Sequence, residues 1–346
     1  MRILVVGLGG IGQRHVRNLR TLLGEDLELF AVRARGRRDV ITDGLQIEPG
    51  ADVETRYGIQ TLPTLDAGLA LRPDAVLVCN PSSGHLQVAR TAAEAGCALF
   101  IEKPLSHSWS GVEELIEIVE SQGLVTAVGF QLRFHPCLQR VHDLLEQGAV
   151  GRVLAARVEV GEYLPGFHSY EDYRALYASR RDLGGGVVLS QIHELDYLGW
   201  FFGAPRRLFA VGGHLSSLEI DVEDVASVLM ECRADGRGIP VHLHLDFVQR
   251  PPARTCEIVG DAGRIDVDLR ALTVTVWDCD GRLAESQSFE GFERNRMFID
   301  EMSHFLACLE GKAVPLVPVR EGARSLRTAL AVLESLASGR VVETAP

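Results

Sequence analysis

Two short segments of the chain carry side chains able to move protons. The run Ala98-Leu99-Phe100-Ile101 passes into Glu102-Lys103-Pro104-Leu105. This puts a lysine at the carboxyl end of a strand, the edge at which open α/β sheets bind their ligands. Pro104 biases Lys103 away from helical geometry. An ammonium that is partly desolvated and close to a second cation releases its proton more readily, as exchange with a substrate hydroxyl requires. Anchoring a surface turn is the alternative use of the same residue. Further on, Leu183-Gly184-Gly185-Gly186 leads into a helical pattern that carries His193 and Asp196 one turn apart. A carboxylate on the same face would orient the imidazole and raise its basicity, which makes the pair a proton-transfer candidate. The other use of His193 is as a satisfied residue of a domain interface.

A third segment offers backbone instead. Gly7-Leu8-Gly9-Gly10-Ile11-Gly12 directly follows an apolar run and opens a helical pattern. In that setting Gly7 allows a tight turn, Gly9 lets the backbone approach a pyrophosphate, and Gly12 lets helix and strand pack closely. The free N–H groups at Gly10 and Ile11, with the helix dipole behind them, attract phosphate. A strand-to-helix turn that binds nothing is the competing interpretation. About 20 residues later NAD enzymes usually hold the ribose hydroxyls with an acid at the end of the second strand. Here the chain reads Ala31-Val32-Arg33-Ala34-Arg35. The guanidinium groups of Arg33 and Arg35 could pair with a 2′-phosphate, which favours NADP; a solvated basic loop in an NAD enzyme is the alternative.

These segments need a frame. From Arg2 to about Val128, β-branched runs at 3–6, 27–32, 75–79, 98–101 and 124–128 alternate with helical patterns at 11–23, 86–95 and 111–121. That alternation predicts a doubly wound parallel sheet of the Rossmann kind. After Gly151 the pattern changes to longer alternating segments at 153–160, 225–232, 241–248 and 255–259, which predict a large open, mostly antiparallel sheet. One helix is expected over 187–201 and two more at 296–309 and 320–337. The division is therefore 1–128 for the dinucleotide and 129–346 for substrate binding and oligomerisation, with 130–148 linking the halves. A sheet with one uncovered face calls for a partner, so a homodimer or homotetramer through that sheet is expected.

Composition narrows the partners. A formal charge of −12 repels nucleic acid and anionic lipid unless a local basic patch intervenes. No run approaches the length of a secretory or membrane-spanning segment, so a cytoplasmic protein is expected. The seven cysteines are scattered without a C-x-x-C pair and read as buried apolar residues, neither disulfides nor zinc ligands. His242, His244 and Asp246 alternate on one strand and share a face, but no metal is expected; a polar sheet face suffices to explain them. Two segments, 131–136 and 162–174, mix aromatic rings with Arg, His and carboxylates in the manner of a carbohydrate pocket. Arg133, Tyr163, His168 and Arg174 are the substrate candidates there, beside Lys103 and His193; packing between strands is the competing use.

Taken in order, VGLGGIGQRH at 6–15, CNPSSGH at 79–85, IEKPLS at 101–106 and the glycine triplet followed by His193 at 184–193 resemble the Gfo/Idh/MocA oxidoreductases over nearly the whole chain. The resemblance implies an NAD(P) cofactor, sugar or polyol substrates, a homo-oligomer, and for Lys103 a catalytic and substrate-orienting role. It places Asn80, Pro81, Ser82 and His85, together with Glu102 and Lys103, beside the cofactor. One departure stands out. The family presents an Asp four residues before the histidine, and Leu189 is found there. Either Lys103 and His193 suffice, or Ser190, Glu194 or Asp196 supplies the missing group, or the chemistry is altered. The expected reaction is oxidation or reduction of a secondary hydroxyl or ketone on a sugar, polyol or nucleotide-sugar. Transient redox in an epimerase or glycosidase, and a dinucleotide-binding sensor, are the alternatives. The wording of GCALFIEKPLSHS and IHELDYLGWFFG also resembles a subgroup concerned with bacterial surface sugars, which points toward an amino or acidic sugar met by Arg133 or Arg174.

Overall fold

A computed structural model describes the whole chain except Arg35, Arg37, Ser169, Asp235, Ala345 and Pro346. β1 (Arg2–Val6) leads through α1 (Gly10–Leu23) to β2 (Glu28–Val32). A small antiparallel hairpin, β3 (Asp39–Ile41) and β4 (Ile47–Asp52), and the short α2 (Val53–Tyr57) precede β5 (Ile59–Leu62). Then come α3 (Leu65–Leu69), β6 (Ala75–Val78), α4 (His85–Glu94), β7 (Ala98–Glu102), α5 (Val112–Gln122) and β8 (Thr126–Gly129). Six of these strands form one all-parallel sheet ordered β5-β2-β1-β6-β7-β8. It is a Rossmann sheet wound both ways from β1, so the carboxyl ends of β1, β6 and β7 converge at the switch point. β6 is buried along its whole length, as a parallel strand covered on both faces must be. The hairpin, α2, β5 and α3 were not foreseen. β4 shows why: Ile47-Glu48-Pro49-Gly50-Ala51-Asp52 is largely exposed and has no apolar period to read.

The segment expected to be a plain link contains α6 (Pro136–Glu146), started by Pro136 at its first position and by the His135 ring, whose Nδ1 accepts from the Cys137 backbone N–H. Beyond it lie β9 (Val153–Gly161), α7 (Val187–Ser190), α8 (His193–Phe202), β10 (Arg207–Gly213), β11 (Val225–Ala234), β12 (Arg237–Asp246) and β13 (Ala253–Gly260). The chain closes with β14 (Gly263–Asp268), β15 (Thr273–Asp278), β16 (Leu283–Ser288), α9 (Arg294–Leu309), α10 (Val319–Ser338) and β17 (Val342–Glu343). The second sheet has nine strands in the order β16-β15-β14-β13-β9-β12-β11-β10-β17, and only the β9–β12 pair is parallel. Helices α6, α7, α8 and α10 cover one face. The other presents a lateral row from Phe209 through Leu229, His242 and Arg157 to Glu257, in which Phe209 and Leu229 are exposed.

Two departures matter for the site. The helix expected over 187–201 is broken between α7 and α8, where Gln191 leaves helical geometry and its side chain donates to the Asp246 carbonyl at 3.1 Å. In addition, α9 and α10 do not stay with the second sheet. The backbone N–H of Val128 in β8 donates to Val317, and Thr126 Oγ1 accepts from the Val319 N–H that starts α10. Helix α10 thus lies against both sheets and joins one to the other, while α9 packs against β8 and α1 of the first unit. Six cysteines are buried, while Cys279 is exposed, and all seven are free thiols. Among the described residues no helix is long and apolar enough to cross a membrane.

Candidate active site

The glycine loop is shaped as a phosphate cradle. Gly7 adopts φ +100°, and a Cβ there would lie 2.7 Å from the backbone of Cys79 and Asn80, so β1 and β6 can approach only through glycine. A Cβ on Gly12 would come within 2.1 Å of the Gly7 carbonyl oxygen. Gly9, by contrast, faces open space, and as N-cap of α1 it makes no side-chain cap bond. The first turn of α1, with Gly10 and Ile11, holds no acid. Its N–H groups therefore point unopposed toward that open side, which fits the pyrophosphate of a dinucleotide. The segment after β9 reaches back here: Tyr170 Oη sits against Gly10, and its ring stacks on His168. On the neighbouring turn, Asn80 Oδ1 is buried without a partner among the described residues, Pro81 is exposed, and Ser82 is buried. His85 does not face that space. Its two ring nitrogens lie 2.7 Å from the carbonyls of Pro104 and Asn80, so it ties the β6 turn to the lysine turn, and burial pushes its pKa below the ordinary value.

At the end of β2 the guanidinium of Arg33 is ion-paired with Glu54 of α2, and Arg38 reaches the same carboxylate at 3.0 Å. Arg33 is thus engaged by an acid that no count along β2 could locate, because Glu54 arrives from another element. Arg35 lies outside the described residues.

Lys103 is half-buried past the end of β7, and Nζ donates to the Ser190 carbonyl at 2.7 Å. The break in the helix makes this bond available. In an unbroken helix the Glu194 N–H would take the Ser190 oxygen; here it bonds Gln191 instead. Glu102 turns inward: Oε1 accepts from His15 Nε2 at 2.6 Å, and Oε2 accepts from the Lys103 N–H at 3.2 Å. Glu301 of α9 is buried nearby with Oε2 unpartnered among the described residues. Burial, with the charges of Glu102 and Asp196 added, holds its pKa well above the usual carboxylate range.

The expected pairing of Asp196 with His193 is not what the structure shows. Asp196 is clamped in two bonds by Arg133, at 2.7 and 3.0 Å, and accepts from Ser325 Oγ of α10 at 3.0 Å. A carboxylate one turn from a histidine can point around the helix to a stronger partner, and a guanidinium fork is that partner. Arg133, expected to meet substrate, is accordingly buried and occupied. Glu194 is bound in the same two-pronged way by Arg254 of β13, at 2.7 and 3.0 Å. The two clamps pin α8 on either side of His193. Burial, together with Lys103, Arg254 and Arg294, pushes the imidazole well below its ordinary range, so the ring is neutral at neutral pH. The Gln131 amide nitrogen lies 3.1 Å from Nε2 and can only donate, which leaves the ring proton on Nδ1; that atom and Ser190 Oγ are buried with no partner among the described residues. Leu189 is itself buried in the core and offers no polar group. The polar atoms beside Lys103 come from Ser190 and His193.

The remaining candidates separate. Tyr163 is partly buried, with Arg250 stacked 4.0 Å over its ring. His168 lies 3.3 Å from Glu171. Arg174 is exposed and paired with Asp172 and Glu219. His242 bonds Ser227 and His244 pairs with Asp246, both on the open sheet face away from Lys103. Sequence reasoning missed Gln131, Arg254 and Arg294 as contributors. Only Gln131 lay in a segment singled out for its composition; the others depend on contacts between distant parts of the chain.

Comparison with known proteins agrees with this geometry. Residues 1–130 match the oxidoreductase family with an NAD-binding Rossmann fold, and residues 138–266 match the GFO/IDH/MocA C-terminal domain. The chain is similar to myo-inositol 2-dehydrogenase of Thermotoga maritima, at 27% identity over 99% of this chain and 98% of that protein. It is also similar to UDP-N-acetylglucosamine 3-dehydrogenase of Acidithiobacillus ferrooxidans, at 28% identity over 80% of this chain and 77% of that one. In fold it resembles the WlbA dehydrogenase of Bordetella pertussis, solved with NADH and UDP-GlcNAcA. The TM-score is 0.79, at 23% identity, covering 100% of this chain and 99% of that one.

Proposed function

Starting from a chain that belongs to the Gfo/Idh/MocA oxidoreductase family, we propose that it reversibly oxidises a secondary hydroxyl of a cyclic sugar, polyol or nucleotide-sugar. It is an NAD(P)-dependent dehydrogenase. The observation that carries the narrower reading is the Lys103 ammonium held on the Ser190 carbonyl, where the carboxyl end of β7 meets the break before His193. When bound, the nicotinamide supplies the hydride acceptor and donor.

The chain's own residues do the rest. As the neutral amine, Lys103 Nζ takes the hydroxyl proton during oxidation and becomes the ammonium, which returns the proton during reduction. The Ser190 carbonyl aims the ammonium and stays in place because α8 is pinned by Arg133 and Arg254. His193, neutral and with its Nδ1 proton unspent, orients the same substrate oxygen. Leu189 itself supplies no acid, which leaves the proton step to Lys103. Asp196 serves as a positioning residue through Arg133.

The engagement of Arg33 by Glu54 supports NAD as the preferred cofactor, against the preference for NADP that the arginines of the loop suggest in sequence alone. A carboxylate in that position would repel a 2′-phosphate and can accept from ribose hydroxyls. The row of Phe209 and Leu229 on the uncovered sheet face supports a homo-oligomer formed through that sheet. Initial rates with NAD and with NADP, across neutral sugars, inositols, sugar acids and UDP-sugars, test the function. Turnover with NAD on at least one of them is expected; binding of cofactor with no turnover on any would overturn the dehydrogenase reading.

A further inference from the structure

A dinucleotide loop needs glycine at three places, which here are Gly7, Gly9 and Gly12. Gly10 is a fourth that the turn does not require. It is the first residue of α1 and has no positive φ, so its backbone would suit any side chain. What it provides is room. A Cβ on Gly10 would lie 2.8 Å from Tyr170 Oη, and 3.9 Å from both Tyr170 Cζ and Leu45 Cδ2 of the β3–β4 turn. Glycine at this position therefore admits the hydroxyl end of a tyrosine, brought from the other half of the chain, to the start of α1.

Tyr170 is delivered by the second unit. β9 ends at Gly161, after which the Glu162 N–H donates to the Asp246 carbonyl at 3.1 Å and the Leu164 N–H to the Phe247 carbonyl at 3.0 Å. Leu164 is buried, and Phe167 packs edge-on against Phe247 with ring centres 5.6 Å apart. The segment is thus anchored at the end of β12 before it crosses to the glycine loop. There the half-buried Tyr170 ring stacks on His168, with centres 5.1 Å apart and planes 13° from parallel. Glu171 Oε1 lies 3.3 Å from His168 Nδ1, and Tyr170 Oη lies 3.4 Å from the same nitrogen. A carboxylate only accepts, so Nδ1 carries its proton, and the proton of the tyrosine hydroxyl is directed away from that ring.

The rest of the loop is clear. Gly9 has open space where a side chain would stand, and the first turn of α1 holds neither an acid nor a side-chain cap. The N–H groups of that turn have no partner within the helix. A pyrophosphate seated on them carries more acceptor oxygens than they can satisfy, and a hydroxyl at the same helix end is a further donor. Resting on the dinucleotide-binding reading of the loop, we propose that Tyr170 Oη is a ligand of the cofactor's pyrophosphate, donating to a phosphate oxygen beside the N–H groups of α1. The second unit then holds the cofactor directly, and the dinucleotide bridges the two units that α10 joins elsewhere. A segment whose composition suggests a carbohydrate pocket gives one of its aromatic residues to the cofactor instead.

The test uses the full-length protein and three ligands: NADH followed by its fluorescence, and ADP-ribose and adenosine as competitors that displace it. Tyr170→Phe keeps the ring and its stack on His168 and removes only the hydroxyl. It should weaken NADH and ADP-ribose alike, by about tenfold, because both carry the pyrophosphate, and leave adenosine within about twofold. Gly10→Ala pushes the hydroxyl away from the loop and should weaken the same two ligands. The double variant should lose no more than Gly10→Ala alone, since the second change removes a contact already broken. The proposal is overturned if Tyr170→Phe binds NADH as the wild type does, or more tightly, which would mean that the hydroxyl occupies the place of the phosphate. A loss confined to NADH would put the hydroxyl at the nicotinamide, a loss shared by adenosine would put it at the nucleoside, and losses that multiply in the double variant would separate Gly10 from Tyr170; each overturns it too. Failure of the wild type to bind NADH would bring down the oxidoreductase reading and this proposal with it.

Discussion

The cofactor cradle and the proposed proton-transfer site lie at the same edge of one sheet but are built in opposite ways. The cradle is six consecutive residues, Gly7 to Gly12, whose work is done by backbone N–H groups and by the absence of side chains. The proposed proton-transfer site draws on five separate parts of the chain: Lys103 after β7, Gln131 and Arg133 before α6, Ser190 and His193 at a helix break, Arg254 on β13, and Ser325 on α10. A local device fails only when it is struck directly. An assembled one fails when any of its supports is removed, however far that support lies from the reacting atoms.

The sharpest way to break this contrast is at the lysine. Lys103→Met keeps the length of the side chain and removes its proton chemistry, so kcat/KM should fall about a thousandfold while NADH affinity, measured by fluorescence, is retained. Loss of both together would mean that the two regions are not separable. Next in size is a support. Asp196→Ala strands the buried Arg133 guanidinium and should cost about 3–5 kcal/mol in urea unfolding, with the cofactor cradle left intact in whatever protein remains folded.

Glu223 offers a smaller and pH-dependent effect. It accepts from the Val188 N–H at 3.2 Å where α7 begins, and burial raises its pKa from 4.5 to about 7. An acid whose folded pKa is raised contributes its full stability below the unfolded pKa and loses it as pH rises through the folded value. Stability should therefore fall between about pH 4.5 and about pH 7, by at most about 3 kcal/mol. Glu223→Gln keeps the accepting oxygen and should flatten that slope; an unchanged slope would show that Glu223 is not the group titrating. The smallest effect is expected at the cradle. Gly12→Ala drives a methyl toward the Gly7 carbonyl, 2.1 Å away, and should raise KM for the cofactor about tenfold while kcat at saturation is largely kept. A fall in kcat with unchanged KM would reverse the comparison.

How much was legible follows from the same division. The parallel strands of the first sheet and the position of the glycine loop were readable because β-branched runs, helical periods and glycine spacing are properties of neighbours in sequence. Edge strands such as β4 and β16, which are largely exposed, carry no such period and were not seen. The helix break at Gln191 was invisible for a related reason: the side chain leaves the helix to reach the Asp246 carbonyl, on a strand 55 residues away.

The sequence by itself determined that a dinucleotide loop, a Glu-Lys-Pro turn and a glycine-led histidine segment occur in one chain in that order. The partners of their side chains were decided only in the tertiary structure. Asp196 chose Arg133 over His193, and Glu54 engaged Arg33. Backbone conformation is set within a few residues, so local spacing can specify it. The pairing of charges depends on which guanidinium lies within reach and how far both groups are removed from water, and neither is known until distant elements have packed.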